Sequence, residues 1–105
     1  MALLDWLSTR QPEAPVSLRV RIAEVVAVHP EWNAMPPADA LLEAGEILMR
    51  DVLAAAPKDR KAALDLLAAD ACVTYAFEAA SDAPTGLPAL ADDAIHRIAM
   101  LSGSP

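Results

Sequence analysis

The side chains that most often carry catalysis are few in this 105-residue chain. It has one cysteine, Cys72, and two histidines, His29 and His96. Cys72 lies in an alanine-rich stretch with helical character, where a buried cysteine behaves as a small hydrophobic side chain. The serines lack the pattern of a nucleophile elbow, and the chain has no glycine-rich phosphate loop. We therefore predict that the protein has no catalytic residue, binds no cofactor and is not an enzyme.

One spacing in the chain suits a metal ion. Asp93 and His96 stand three residues apart, as an acid and a histidine do in carboxylate-bridged di-iron bundles. Such a site needs a second pair of this kind, whereas His29 precedes a proline and has no matching carboxylate. One cysteine and two histidines also fall short of the four ligands of a usual zinc site. We predict that Asp93 and His96 lie on a solvated helix face and that no metal is bound.

The charge balance of the chain is acidic, with a formal net charge of −7. Nucleic-acid binding needs lysines and arginines clustered on one face, and the one short cluster is Lys58, Arg60 and Lys61. We therefore expect no nucleic-acid partner. An alternative function that suits the charge is an acidic inhibitor or mimic of a basic protein's ligand. Binding of that kind would weaken strongly between low and high salt.

The cysteine count and the hydropathy pattern bear on location. A single cysteine allows no intramolecular disulfide, which fits a reducing compartment. No stretch approaches the 18 apolar residues of a membrane span, and Asp5 stands where a signal peptide carries basic residues. We expect a cytoplasmic protein without membrane contact, and the richness in alanine and arginine suggests a bacterial source.

The elements that position these side chains are helices separated by prolines. The length suits one domain, so we predict a single helical-bundle domain over residues 1–105. Apolar spacing and proline positions predict a short helix over Ala2–Arg10 and helices over Ala38–Ala56, Pro57–Ser81 and Leu87–Ser102, with a loop over His29–Pro37. The predicted fold class is all-α, a small antiparallel bundle of about four main helices plus the short N-terminal helix. The predicted apolar face of the last helix is broad and comprises Leu87, Leu90, Ala91, Ala94, Ile95, Ile98 and Leu101.

The segment from Val16 to His29 fits two patterns. Its first residues alternate between apolar and polar, as in a strand, while Leu18, Ile22 and Val25 have the spacing of a helix face. The chain contains no second strand candidate, and a lone strand leaves its backbone hydrogen bonds unpaired. We favour a fourth main helix. A strand paired across a dimer is the alternative.

The segment from Pro57 to Ala83 lacks a broad polar face. On a helical wheel, one flank carries Leu64, Leu67, Ala71 and Tyr75, and the opposite flank carries Leu66, Val73 and Phe77. A strip of small residues separates the flanks and contains Asp65, Ala69, Cys72 and Ala76. We expect the helix over Ala38–Ala56 and the last helix to cover one flank. The other flank then needs the N-terminal helix or a second copy of the protein.

Four residues are candidates for an interface. Leu66, Val73 and Phe77 would each gain about 1.5–3 kcal/mol on burial, which favours a cover for their flank. Trp32 is a large aromatic among polar neighbours, a composition found at interface hot spots, although it would equally cap one end of the core. The candidate interface is therefore Trp32, Leu66, Val73 and Phe77.

These observations together predict a small non-enzymatic helical module for protein interaction. Its partner would be another protein or a second copy of the chain, which would make it a homodimer. A small-ligand-binding or enzymatic bundle is a further alternative. That alternative requires a pocket in which polar groups converge, and the sequence contains no motif for one.

Overall fold

The computed structural model describes residues 3–10, 14–55, 60–81 and 86–102. These residues form five α-helices and one short 3₁₀ helix, and they contain no strand. The α-helices are α1 (Leu3–Ser8), α2 (Val16–Ala27), α3 (Pro37–Ala54), α4 (Arg60–Ala80) and α5 (Gly86–Ser102), and the 3₁₀ helix spans Pro30–Ala34. The predicted fold class, an all-α bundle of four main helices and a short first helix, is confirmed.

The ambiguous segment is helical, so the alternative of a strand is wrong. Ile22, Val25 and Val26 are buried along one side of α2, whereas Val16 and Val20 are exposed. The helical spacing therefore decides which residues enter the core. A helix also satisfies its own backbone groups and needs no second strand. Its first turn closes with a hydrogen bond of 3.0 Å from the Arg19 amide to the Pro15 carbonyl.

The segment between α2 and α3 is more ordered than the predicted loop. Pro30 opens the 3₁₀ helix, where its fixed φ angle fits the first turn. The amide of Trp32 donates to the carbonyl of His29 at 3.0 Å. This turn also holds α1, because the side-chain oxygen of Asn33 accepts a hydrogen bond of 3.1 Å from the Leu3 amide. The correction is local, since three-residue turns of this kind are common connectors.

The antiparallel pair of α3 and α4 forms the centre of the bundle. Contrary to the expectation that α3 would cover a flank of α4, α3 packs on the strip of small residues between the flanks. Ala69, Cys72 and Ala76 of that strip are buried. A Cβ atom added at Gly45 of α3 would lie 3.0 Å from Val73 Cγ2 and 3.4 Å from the Ala69 carbonyl oxygen. Small side chains on both helices therefore allow this close approach. The predicted helix start at Pro57 lies outside the described residues.

The two flanks of α4 meet different helices. On the Tyr75 flank, the ring of Trp6 in α1 meets the Tyr75 ring edge-on, with centroids 6.4 Å apart. α2 reaches α4 through Arg21, whose Nε donates to Asp65 at 2.6 Å. The Leu66 flank faces α5, which is joined to α3 by a contact of 2.6 Å between Arg97 Nη1 and Glu46 Oε1. Helices of the same chain thus pack beside both flanks, and each flank keeps one exposed leucine, Leu67 at 58% and Leu66 at 47%.

Candidate interaction surface

The cysteine is placed where it cannot act as a nucleophile. Cys72 lies at the α3–α4 contact with no accessible surface. This burial raises the pKa of its thiol to about 12, because the thiolate would lose its hydration. A thiol that stays protonated near neutral pH is a packing group.

The two histidines lie in different surroundings. His29 stacks on Trp32 with ring centroids 4.2 Å apart, and its Nδ1 lies 3.0 Å from Glu31 Oε1. A backbone hydrogen bond, reinforced by His29, lowers the pKa of Glu31. His96 is exposed on α5, and Asp93 pairs with Arg97 at 3.2 Å. Within the part of the chain that the structure describes, no group of three or more potential ligands is suited to a metal.

A buried ion pair joins α2 to α4, and the sequence did not reveal it. Asp65 is 2% exposed, and its Oδ1 accepts a hydrogen bond of 2.6 Å from Arg21 Nε. The hydrogen bond from Arg21 to this carboxylate raises the pKa of the guanidinium. Glu24 and Asp51 lie farther away, at 3.5 and 4.0 Å from Arg21. The pair fixes how α2 sits on the hairpin, which makes it a structural feature rather than a reactive site.

Trp32 is in the core and not on the surface. Its side chain is 0% exposed, and the indole N–H meets no acceptor among the described residues. Leaving such a group unsatisfied costs about 1–3 kcal/mol, which the burial of a large aromatic ring offsets. A partner cannot reach Trp32 in this conformation, because the whole side chain of Trp32 is packed in the core.

The other three candidates lie together on the α5 side of α4. Val73 and Phe77 are half-buried against the core, and Leu66 is 47% exposed. Leu66 and Val73 line a groove of about 220 Å³ between α3, α4 and α5. The ion pair of Glu46 and Arg97 stands in the wall of the same groove. The structure thus brings two of the four candidates into one apolar feature.

Beside the groove, α5 carries exposed apolar residues at helical spacing. We define the α5 stripe as Leu87, Ala91, Ile95 and Ile98, which follow one another at intervals of four, four and three residues. Ile95 is 67% exposed and Ile98 is 60% exposed, and Ile98 also lines the groove with Leu66. Leu87 is exposed as well. The stripe and the groove therefore form one continuous apolar surface.

The apolar face of α5 that the sequence indicates is buried only in part. Leu90 and Ala94 are buried, but the α5 stripe on the adjoining side of the helix is largely exposed. The sequence did indicate this partial exposure, because the seven apolar residues of α5 make a face wider than contact with one helix pair can cover. The sequence alone did not show which half of the face would face the core.

Comparison with known proteins does not assign this surface. Comparison of the chain with models of protein families, with curated proteins and with solved structures found no match. Among the helices that the structure describes, none is both long and apolar enough to cross a membrane. The assignment therefore depends on the geometry of the surface itself.

Proposed function

We propose that the protein is a non-enzymatic interaction module that self-associates through the α5 stripe and the adjoining groove. The observation that carries the proposal is the exposure of Ile95 and Ile98 beside an apolar groove that is itself lined by Leu66. Single exposed apolar residues are common on protein surfaces, but a continuous apolar surface indicates an interaction site.

A second copy of the chain is an occupant that this geometry suits. In a two-fold dimer each copy presents the same surface to the other, so the surface must be complementary to itself. Here a ridge of isoleucines lies next to a groove of about 220 Å³. The ridge of one copy then enters the groove of the other, and the reverse contact forms by symmetry.

The size of the surface predicts a weak dimer. Helix α5 has 17 residues and is therefore about 26 Å long, and two adjacent helices are about 20 Å wide. The face of α5 and the edge of α4 thus cover about 500 Å² in each copy. Stable interfaces bury about 800 Å² in each partner, so we expect a reversible dimer that dissociates on dilution.

The surroundings of the reactive side chains support a non-enzymatic role. Burial keeps the thiol of Cys72 protonated, and Asp65 is committed to its ion pair with Arg21. Glu46 is likewise paired with both Arg50 and Arg97. A general acid or base must be free to exchange a proton, whereas the carboxylates of Asp65 and Glu46 are both held in ion pairs.

Light scattering over a dilution series tests self-association directly. The expected molar mass approaches twice 11.1 kDa at about 1 mM protein and falls towards 11.1 kDa at about 1 µM. A constant mass of 11.1 kDa over this range would contradict the proposal. A mass above that of a dimer would contradict the closed two-fold arrangement.

A further inference from the structure

We propose that a second site, the pocket between α1, α2 and α4, binds a small monocarboxylate with a compact apolar body. Its walls include Leu4 and Leu7 of α1, Ile22 of α2 and Tyr75 of α4. Ser8, Ala14 and two arginines, Arg10 and Arg19, complete the lining. This site lies on the opposite side of the α3–α4 pair from the α5 stripe, so the proposal is independent of self-association.

The volume of the pocket limits the body of the ligand. The pocket holds about 160 Å³ and is lined largely by aliphatic and aromatic carbon. Apolar cavities of about 150 Å³ hold a molecule the size of benzene. The apolar part of the ligand is therefore a single aromatic ring or a short alkyl chain, and a long fatty acid does not fit.

Arg19 supplies the group that recognises a negative charge. Its Nε donates to the Ala14 carbonyl oxygen at 3.0 Å, which holds the guanidinium at the pocket. An arginine has five N–H donors, and the four on the terminal nitrogens of Arg19 meet no acceptor among the described residues. No described carboxylate lies within ion-pair distance of this guanidinium, although the chain carries a net charge of −7. Two parallel donors of this kind match the two oxygens of a carboxylate.

The guanidinium of Arg10 has more partners than that of Arg19 and forms part of the pocket wall. Its Nη1 contacts Glu78 at 3.0 Å, and its guanidinium carbon lies 4.2 Å from the centroid of the Trp6 ring. Nε and Nη2 both donate to the hydroxyl of Thr9. Because Glu78 balances the charge of Arg10, Arg19 is the arginine of this lining that meets no carboxylate among the described residues. Tyr75 also lines the pocket, and its hydroxyl has no partner among the described residues.

Titration with benzoate and hexanoate, followed by NMR, tests the site. The two indole N–H signals report separately, because Trp6 borders the Arg10 wall of the pocket whereas Trp32 lies in the core. We expect a saturable shift of the Trp6 signal with either acid and an unchanged Trp32 signal. Benzyl alcohol, which has the ring without the charge, should bind at least tenfold more weakly, since a charge-assisted hydrogen bond is worth about a factor of ten or more.

Two variants separate recognition by Arg19 from a general effect of charge. Arg19→Gln should weaken benzoate binding about tenfold. Arg50→Gln removes the same charge from an exposed site on α3 and should leave the affinity unchanged. Equal losses in the two variants would overturn the proposal, and so would equal affinity for benzoate and benzyl alcohol. The absence of a saturable shift up to about 10 mM benzoate would also overturn it.

Discussion

Among single residues, Asp65 constrains the fold more than any other charged group described. Its carboxylate is buried at the junction of α2 and α4, where Arg21 donates to it. A buried ion pair stabilises the fold little more than apolar side chains of the same size would. Removing one partner, however, leaves the other as an unpaired buried charge. The main effect of the pair is therefore to determine where α2 docks, and its net contribution to the free energy of unfolding is small.

Replacing Asp65 tests this role. We expect Asp65→Ala to lower the free energy of unfolding by about 2 kcal/mol, on the low side for a buried pair because Arg21 keeps some contact with water. Removing both charges in Arg21→Met/Asp65→Ala should restore at least half of the loss. Asp70→Ala, an exposed site on the same helix, serves as control and should change stability by less than about 0.5 kcal/mol. Urea denaturation measures all four chains, and a double variant less stable than Asp65→Ala would contradict the role.

Cys72 predicts a specific dependence of stability on pH. The pKa of its thiol is about 12 in the folded chain, against about 8.5 for an ordinary cysteine. Above pH 8.5 the unfolded chain loses this proton while the folded chain keeps it. The stabilisation is therefore fully present below about pH 8.5 and is lost as the pH rises towards 12.

A comparison with Cys72→Ala isolates this contribution. Between pH 7.5 and about pH 10, the parent chain should lose about 1–2 kcal/mol more stability than the variant does. The absolute stability of the variant does not affect this difference, which urea denaturation under reducing conditions measures at both pH values. The same pH dependence in both chains would show that the thiol ionises as readily in the folded chain as in the unfolded one.

At the scale of the elements, the contact of α3 with α4 depends on small residues. Gly45 faces Val73 and the backbone of Ala69, and an added methyl group would meet Val73 Cγ2 at 3.0 Å. A glycine within a helix costs about 1 kcal/mol relative to alanine, so its presence here is explained by the close approach of the two helices.

A double-mutant cycle tests that explanation. In the parent chain, Gly45→Ala should lower stability by about 1 kcal/mol, because overpacking outweighs the gain in helix propensity. In the Val73→Ala background the close contact is absent, so the same substitution should raise stability by about 1 kcal/mol. The free energies of unfolding of the four chains give the coupling. Equal effects of Gly45→Ala in both backgrounds would contradict the close packing.

The helices could be predicted from the sequence, but their pairing could be predicted only in part. Apolar periodicity and prolines indicate α3 and α5 to within one or two residues at the ends described. The wheel separated two flanks of α4 from a strip of small residues, but it did not show that the strip is the central contact. Periodicity shows which faces of a helix are apolar. Which of those faces packs against the neighbouring helix depends on how closely the two backbones can approach.

The candidate site was predictable to a smaller extent. Leu66 and Val73 were identified because they lie on an apolar flank, and both line the groove. The sequence placed Ile95 on the apolar face of α5, but it does not show how far α5 rotates about its axis or which part of that face is exposed. For Trp32 the sequence left an interface position and a cap on the core both open, because polar neighbours on a short turn say little about the direction of one side chain. Pairs that are distant along the chain, such as Arg21 and Asp65, leave no local signal.

At the scale of the whole molecule, the two sides of the α3–α4 pair carry different structural features. The side of α1 and α2 carries the ion pair with Asp65 and a small pocket, whereas the side of α5 carries the apolar surface. Because these features are separate, a change on one side should leave the other intact. The proposed dimer uses the α5 side alone.

Self-association through the α5 stripe is tested by sedimentation equilibrium of Ile95→Glu and of a matched control, Val20→Glu. Val20 is 54% exposed in α2, on the opposite side of the α3–α4 pair, so Val20→Glu adds the same charge away from the α5 stripe. We predict that Ile95→Glu remains monomeric at about 1 mM, while Val20→Glu and the parent chain dimerise alike. Dimerisation of Ile95→Glu at the parent's affinity, with its fold intact by circular dichroism, would contradict it.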